Sequence, residues 1–473
     1  MRAWYAGAST IQTNIAPQDT GRFLPQVKPG WAYNASLGVA APILLDGAKR
    51  DRAVWPGDMG LSGITAFLVF GEYGLTAFGN AIETLFYYQN TTTGRFPFAG
   101  PDTASFRSGS TSDTYHAWSL ISIYEYAIYT GNETWLSERW ENITRGVDFV
   151  LAALDNTVSL HNQTAPNDWG RQGGGEYNSA LNALDYHALV SLSSLASAWS
   201  DTISGRTRAQ TWALAAARLK SSYNSHLWDA PANLYHDNTT TSLHPQDGNA
   251  LALAFNLTTS TAQASVLSTA LIQNWNAIGP VTPELPDTIS PFISGIEVLG
   301  HFAAGQPVRA LDLVRRTWGY LLDSPLMTGS TLAEGITANG SLYYRSTAGY
   351  NYDASYTSLS HGWSSGPTIA LSFKVAGLEI IGWREWVFKP QTGGLRSAKA
   401  GFRAPFGEFR VQWVVRGKED GDMIFEATIV TPEGTRGRLG MPGECENVLV
   451  DGKAVAATVE GGGIRVVKAT GCR

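Results

Sequence analysis

Charge is scarce in this 473-residue chain: Asp, Glu, Lys and Arg together make up 16%, against roughly 25% in an average soluble protein. The net charge is −6 and no block of Lys or Arg occurs, which excludes a surface that tracks nucleic-acid phosphates. Cysteine is nearly absent, with only Cys445 and Cys472. No His accompanies them, so they do not form a zinc site. They are either two buried thiols or a disulfide, and an even pair this close to one end points to a bridge pinning the last strands. The longest apolar runs, such as 61–70, fall short of the roughly 20 residues of a membrane span. The opening Met1-Arg2-Ala3-Trp4-Tyr5 carries no apolar leader.

What is plentiful is apolar and aromatic: 44% hydrophobic residues, 16 Trp, 19 Tyr and 50 Gly. Low charge with many flat rings suits a surface that stacks on sugars, and it suits an aromatic-rich core equally. Eight of the 21 Asn residues begin an N-x-S/T sequon: Asn34, Asn90, Asn132, Asn142, Asn162, Asn238, Asn256 and Asn339. Chance would give roughly one in seven, so the excess predicts a secreted, extracellular glycoprotein.

From about 59 to 376, eleven segments carry apolar residues at helical spacing, separated by Gly, Pro and polar breaks. Sequential helical pairs of this number predict a closed double ring over 41–376. Long loops at 91–113, 157–178, 228–246, 278–290 and 324–355 are where a site would be built. Residues 1–40 read as an extended lead-in. After 377, alternating segments such as 407–415 and 423–430 predict a compact antiparallel β domain over 377–473.

The most informative stretch is 46–58, with Asp46, Lys49, Arg50, Asp51, Arg52, Trp55 and Asp58 among glycines and a proline. A solvated salt-bridge loop is one reading, but Trp55 has no place in it. The pattern D-x-x-x-R-D-x-x-x-W-x-G-D resembles the signature loop of the α-L-rhamnosidases of glycoside hydrolase family 78, especially fungal members. Further blocks fall in family order: Ser112-Asp113-Thr114-Tyr115-His116, Asp168-Trp169, His244-Pro245-Gln246-Asp247, Trp318-Gly319, Ser330-Thr331-Leu332-Ala333-Glu334-Gly335, and Ser358 through Thr368. The resemblance covers nearly the whole chain.

The resemblance implies a mainly α fold, an (α/α)6 barrel with a C-terminal antiparallel β-sandwich, lacking the β domains that precede the barrel in relatives. It implies inverting hydrolysis of terminal α-L-rhamnosyl residues from a glycoside, with no cofactor or metal and no nucleic-acid or membrane partner. Asp51 takes the position of the proton donor and Glu334 that of the base that activates water. Many members carry Glu at the donor position in a loop one residue longer, so Asp51 requires a closer backbone approach. Asp46 and Asp58 match positions that hydrogen-bond the sugar, Trp55 and His361 match pocket walls, and Arg50 of the same loop is expected to bind substrate with them. A capping role competes for His361. For His116, Asp168, Trp169 and Trp363, a capping or core role competes with substrate binding. Arg50 and Arg52 would disfavour a protonated Asp51 unless an extended loop turns their side chains away. Two other readings stand beside this one: a hydrolase of another sugar, such as a fucoside or uronide, and a sugar-binding protein without turnover.

Overall fold

The computed structural model describes residues 1–21, 34–101, 110–199, 203–417, 423–454 and 458–472. Residues 22–33 of the expected lead-in and 102–109 of the loop 91–113 lie outside the described residues. The helices begin and end where local chemistry dictates. Helix α1 spans Arg2–Asn14 and α2 spans Pro56–Tyr87, with Pro56 at its first turn. Helix α3 spans Asp113–Thr130: the Ser112 side chain accepts from the Tyr115 amide, and Gly131 closes the helix in the left-handed conformation. Asn132 caps α4 (Glu133–Ala153) in the same way, accepting from the Trp135 amide. There follow α5 (Ser179–Trp199), α6 (Ile203–Leu227), α7 (Gln246–Ala254), α8 (Thr261–Ala270), α9 (Pro291–Ala303), α10 (Pro307–Asp323) and the short α11 (Gly366–Ile369).

Helix α2 is broken at Gly71, where φ is 54° and ψ −124°. Its second half folds back on the first, and the two make one hairpin. The first half of α2 packs on α3, α3 on α5, α5 on α7, α7 on α9, and α9 on α11, which returns to α2. This inner circuit closes. The second half of α2 and α4, α6, α8 and α10 lie outside it, each beside its inner partner. Helix α1 is the outer partner of α11 and completes a sixth hairpin. The expected extended lead-in is therefore corrected over residues 2–14. Its buried positions, 3, 6, 7, 10, 11 and 14, recur at helical spacing, but most are small or polar and carry little hydrophobic signal. A second difference concerns the last of the eleven segments, expected to be helical over 356–376: after a single 3₁₀ turn at Ala354–Tyr356, Ser358–His361 run along the Glu334 segment and helical turns resume at Gly362.

Helix α2 is also long and apolar enough to cross a membrane by length and composition, contrary to the reading of the apolar runs; its break at Gly71 and its burial are those of a core helix. Gly71 faces open space apart from the Arg403 carbonyl, so a methyl group would fit while the backbone angle would not. Gly71→Ala is expected to cost about 1–3 kcal/mol in chemical denaturation without altering the fold. An unchanged midpoint would show that the helix does not turn there.

The C-terminal domain has two sheets. One runs in the order 459–460, 436–439, 385–388, 378–382; the other runs 397–404, 407–416, 423–430, 464–472, 447–450, 453–454. Strand 385–388 pairs parallel with 436–439, so the expected wholly antiparallel pattern fails at one pair. The chain crosses to the six-stranded sheet between them and re-enters the first in the same direction. Trp386, Phe388, Trp413 and Phe425 fill the core between the sheets, each burying about 150–250 Å². Phe402 wedges between Phe67 of α2 and Phe373, and Trp413 Nε1 donates to the Val375 carbonyl, which fixes the domain to the helices. Cys445 and Cys472 form a disulfide. Six sequon asparagines are exposed, but Asn238 is buried and Asn142 donates its amide to Gln89 Oε1 at 2.9 Å. Asn238 is thus the least accessible of the eight sequon asparagines.

Candidate active site

The 46–53 loop folds on Asp46. Its carboxylate accepts from the Asp51 amide at 2.5 Å and the Ala53 amide at 3.0 Å. Its carbonyl accepts from Asn14 Nδ2 at the end of α1 and from the Gly362 amide. Both side-chain oxygens are thus engaged on loop amides, so the role expected from resemblance, a hydroxyl contact, competes with holding the loop shut. Burial pushes the Asp46 carboxyl up to about 7 against the pull of His361.

Arg50 lies at the centre. Its Nη2 meets Asp51 Oδ1 at 2.7 Å and its Nη1 meets Glu334 Oε2 at 3.3 Å. The condition that would turn its side chain away from Asp51 is not met: it folds back and joins two carboxylates 283 positions apart in sequence. Arg52 does turn away, donating to the carbonyls of Thr20 and Ala48. Burial opposes the Arg50 charge, but Asp51, Tyr350 and Glu334 outweigh it and hold the guanidinium firmly protonated. Glu334 also accepts from the Ser358 amide at 3.0 Å and from the Tyr350 hydroxyl. Arg50 Nη1 reaches both Glu334 oxygens, so four hydrogen bonds in all hold this carboxylate.

These groups line a cavity of about 430 Å³, within the usual range for small-molecule sites. Trp55 meets Phe98 and Tyr115 edge-on on one side, at 4.8 and 5.9 Å between centroids. Trp363 stacks on Phe292 and donates Nε1 to the Glu334 carbonyl, which fixes that segment from behind. Asp168 and Trp169 line the far wall with Arg171, which is buried between Asp237 at 2.6 Å and Asp247 at 3.0 Å. Burial beside Asp247 raises the Asp168 carboxyl to about 7.

His361 Nε2 sits 3.1 Å from Asp58 Oδ1, both buried in the cavity floor. Burial disfavours the imidazolium, yet Asp58, Glu334 and Asp46 raise its pKa to about 9. Burial pushes Asp58 upward as well. We place the proton on His361, the stronger base of the two. The pair rules out the exposed capping role. Because the folded pKa lies above the unfolded 6.5, the stability from His361 is complete below about pH 6.5 and is lost as pH rises through about 9. Denaturation curves of the wild type and His361→Gln are therefore expected to converge between pH 6.5 and 9. Parallel curves would show that His361 is neutral in the fold.

His116 does not reach the cavity. Nδ1 accepts from the Phe96 amide, Nε2 lies 2.9 Å from the Gly146 carbonyl, and burial lowers its pKa to about 3. The ring is a neutral tie in the core, and its assignment to substrate is withdrawn. The block around it is likewise structural. Ser112 caps α3, and Asp113 clamps Arg95 and the amides of Thr164 and Ala165. Only Tyr115 of that block lines the cavity. Arg171, Arg345, Tyr350 and Tyr356 were not singled out in sequence although they line it. The loops at 157–178 and 324–355 that carry Arg171, Arg345 and Tyr350 gave the one available signal, unusual length; Tyr356 lies just beyond the second.

Six helical hairpins closed on a cavity with carboxylates on facing segments and aromatic walls define a six-hairpin glycosidase domain with a C-terminal β domain. The chain belongs to the bacterial α-L-rhamnosidase six-hairpin glycosidase domain family, which residues 32–279 match. Residues 376–456 match the bacterial α-L-rhamnosidase C-terminal domain. Solved structures of similar fold include a GH78 family rhamnosidase of Bacillus sp. GL1, at 19% identity and a TM-score of 0.68, with 93% of this chain and 41% of that one covered. Others are the α-L-rhamnosidase of Streptomyces avermitilis complexed with L-rhamnose (17%, 0.64, 98% and 41%) and a rhamnosidase from Klebsiella oxytoca with rhamnose bound (15%, 0.58, 78% and 62%). The chain thus spans less than half the length of the Bacillus and Streptomyces proteins. None of the curated protein sequences matches it.

Proposed function

We propose that the cavity hydrolyses terminal α-L-rhamnosyl residues with inversion, within the (α/α)6 barrel that the closed ring of hairpins represents. The observation that carries this reading is Arg50, which holds Asp51 and Glu334 on separate nitrogens of one guanidinium. It brings two carboxylates from distant segments to one space, as an acid and a base need; in an inverting site they stand about 6.5–9.5 Å apart to admit water. Asp51 gives its proton to the glycosidic oxygen as the bond to the anomeric carbon breaks. Water attacks that carbon from the opposite face, and Glu334 takes the proton the water loses. The Arg50 contact opposes a protonated Asp51, and the like charges of Asp46 and Asp58 in the same floor act the other way. Trp55 and Trp363 offer faces to the sugar ring. The family membership and the rhamnose-bound relatives of like fold support the choice of sugar.

A panel of nitrophenyl glycosides tests this. Turnover of the α-L-rhamnoside is expected to exceed that of the α-L-fucoside and the uronide by orders of magnitude. Preference for either of the latter overturns the sugar assignment. Rhamnose binding in calorimetry with no hydrolysis overturns the reaction. We also propose secretion, which the disulfide and the six exposed sequons support. A mass shift on enzymatic deglycosylation of the protein from its native source tests it; no shift leaves the sequons unused.

A further inference from the structure

Behind the cavity wall, three metal-binding side chains meet that the reaction does not use. Asp229 lies on the short strand Trp228–Asp229, His236 follows the paired strand Leu234–Tyr235, and His244 precedes Pro245 at the start of α7. Asp229 Oδ2 is 2.9 Å from His244 Nε2 and 3.7 Å from His236 Nε2. One donor atom from each residue falls within 4.8 Å of the others. The two imidazoles stack at 4.8 Å with 21° between planes. Nδ1 of His236 is buried with no hydrogen-bond partner among the described residues. The three side chains are 21–29% exposed, so one face of the cluster is open to water.

We propose that Asp229, His236 and His244 bind a divalent transition-metal cation of the Zn²⁺ class, with water completing the coordination. Two imidazole nitrogens and one carboxylate oxygen suit a borderline cation. They do not suit Ca²⁺ or Mg²⁺, which take oxygen shells. Bonds of about 2.0–2.1 Å place tetrahedral donors about 3.3 Å apart. The existing separations of 2.9 and 3.7 Å straddle that value, and the stacked imidazoles must rotate for their nitrogens to converge on one ion. The location gives the ion a structural task. His236 adjoins Asp237, and His244 lies three residues before Asp247; these two acids hold Arg171 in the cavity wall. A bound cation ties the 228–235 hairpin to the start of α7 and fixes both acids from behind. The competing reading is a His–Asp hydrogen bond that needs no ion.

Titration of metal-free, tag-free full chain with ZnCl₂ by calorimetry tests the proposal. One equivalent is expected to bind with a dissociation constant of about 1 µM or tighter, with a rise in melting temperature. His236→Ala, His244→Ala and the milder Asp229→Asn should each weaken binding tenfold or more. Their melting temperatures in EDTA separate lost binding from lost fold. X-ray absorption of the zinc-loaded wild type, which needs no variant, should show a shell with two imidazoles. Absence of one-to-one binding, affinity unchanged in the variants, or an all-oxygen shell each overturns the site.

Discussion

Glu334→Gln is expected to lower kcat on p-nitrophenyl α-L-rhamnoside by about 10²–10⁴-fold while leaving KM close to its wild-type value. The substitution keeps volume and shape. Its carbonyl oxygen can still accept from the Ser358 amide, and the segment is still held by the Trp363 indole on the Glu334 carbonyl. On the proposed mechanism, what is lost is the ability to take a proton from water, which matters only in the transition state. The Arg50 charge would then rest on Asp51 alone. A loss mainly in KM would make Glu334 a binding group and leave the base to be found elsewhere among the cavity carboxylates.

Arg50→Met should damage both activity and stability. Arg50 is the cation between Asp51 and Glu334, with side-chain exposures of 8%, 18% and 2% respectively. Asp46 and Asp58 lie in the same floor, where His361 is the other positive charge in the hydrogen-bonded set. Removing one partner from a buried pair costs about 3–5 kcal/mol, because the remaining charge is neither solvated nor paired. Protonation of a carboxylate relieves that cost and disables the base, so the acidic limb of the rate profile should move to higher pH as kcat falls. Arg50→Lys should not rescue the enzyme, since an ammonium cannot span two carboxylates from two fixed nitrogens. Wild-type stability with a wild-type profile in Arg50→Met would mean that the guanidinium does not bridge the two acids.

The outline of the fold was legible in sequence because the inner helices carry continuous apolar faces and the C-terminal strands alternate cleanly. Helix α1 was not legible. Its inward positions include Ala6, Gly7, Thr10 and Asn14, chosen for close approach and hydrogen bonding rather than bulk. A Cβ on Gly7 would stand 2.1 Å from Thr368 Oγ1. Thr10 accepts from the Leu332 amide and Asn14 donates to the Asp46 carbonyl, so α1 braces both carboxylate-bearing segments. In the site, the 46–58 loop was readable because its charged residues crowd into one stretch around a tryptophan. Tyr350 and Arg345 were not, since they come from a loop without regular spacing and meet Glu334 and Arg50 only through the tertiary fold. His116 misled for the opposite reason: it lies in a block that matches the family in order, yet the block caps and clamps α3 and leaves only Tyr115 for the cavity.

The most direct test of the central claim is proton NMR of the sugar released from p-nitrophenyl α-L-rhamnoside within the first turnovers, before mutarotation. The account predicts that β-L-rhamnose appears first and the α anomer grows in later. Early α-L-rhamnose would contradict it: one carboxylate would then be a nucleophile, and Arg50 would not be holding open a place for water.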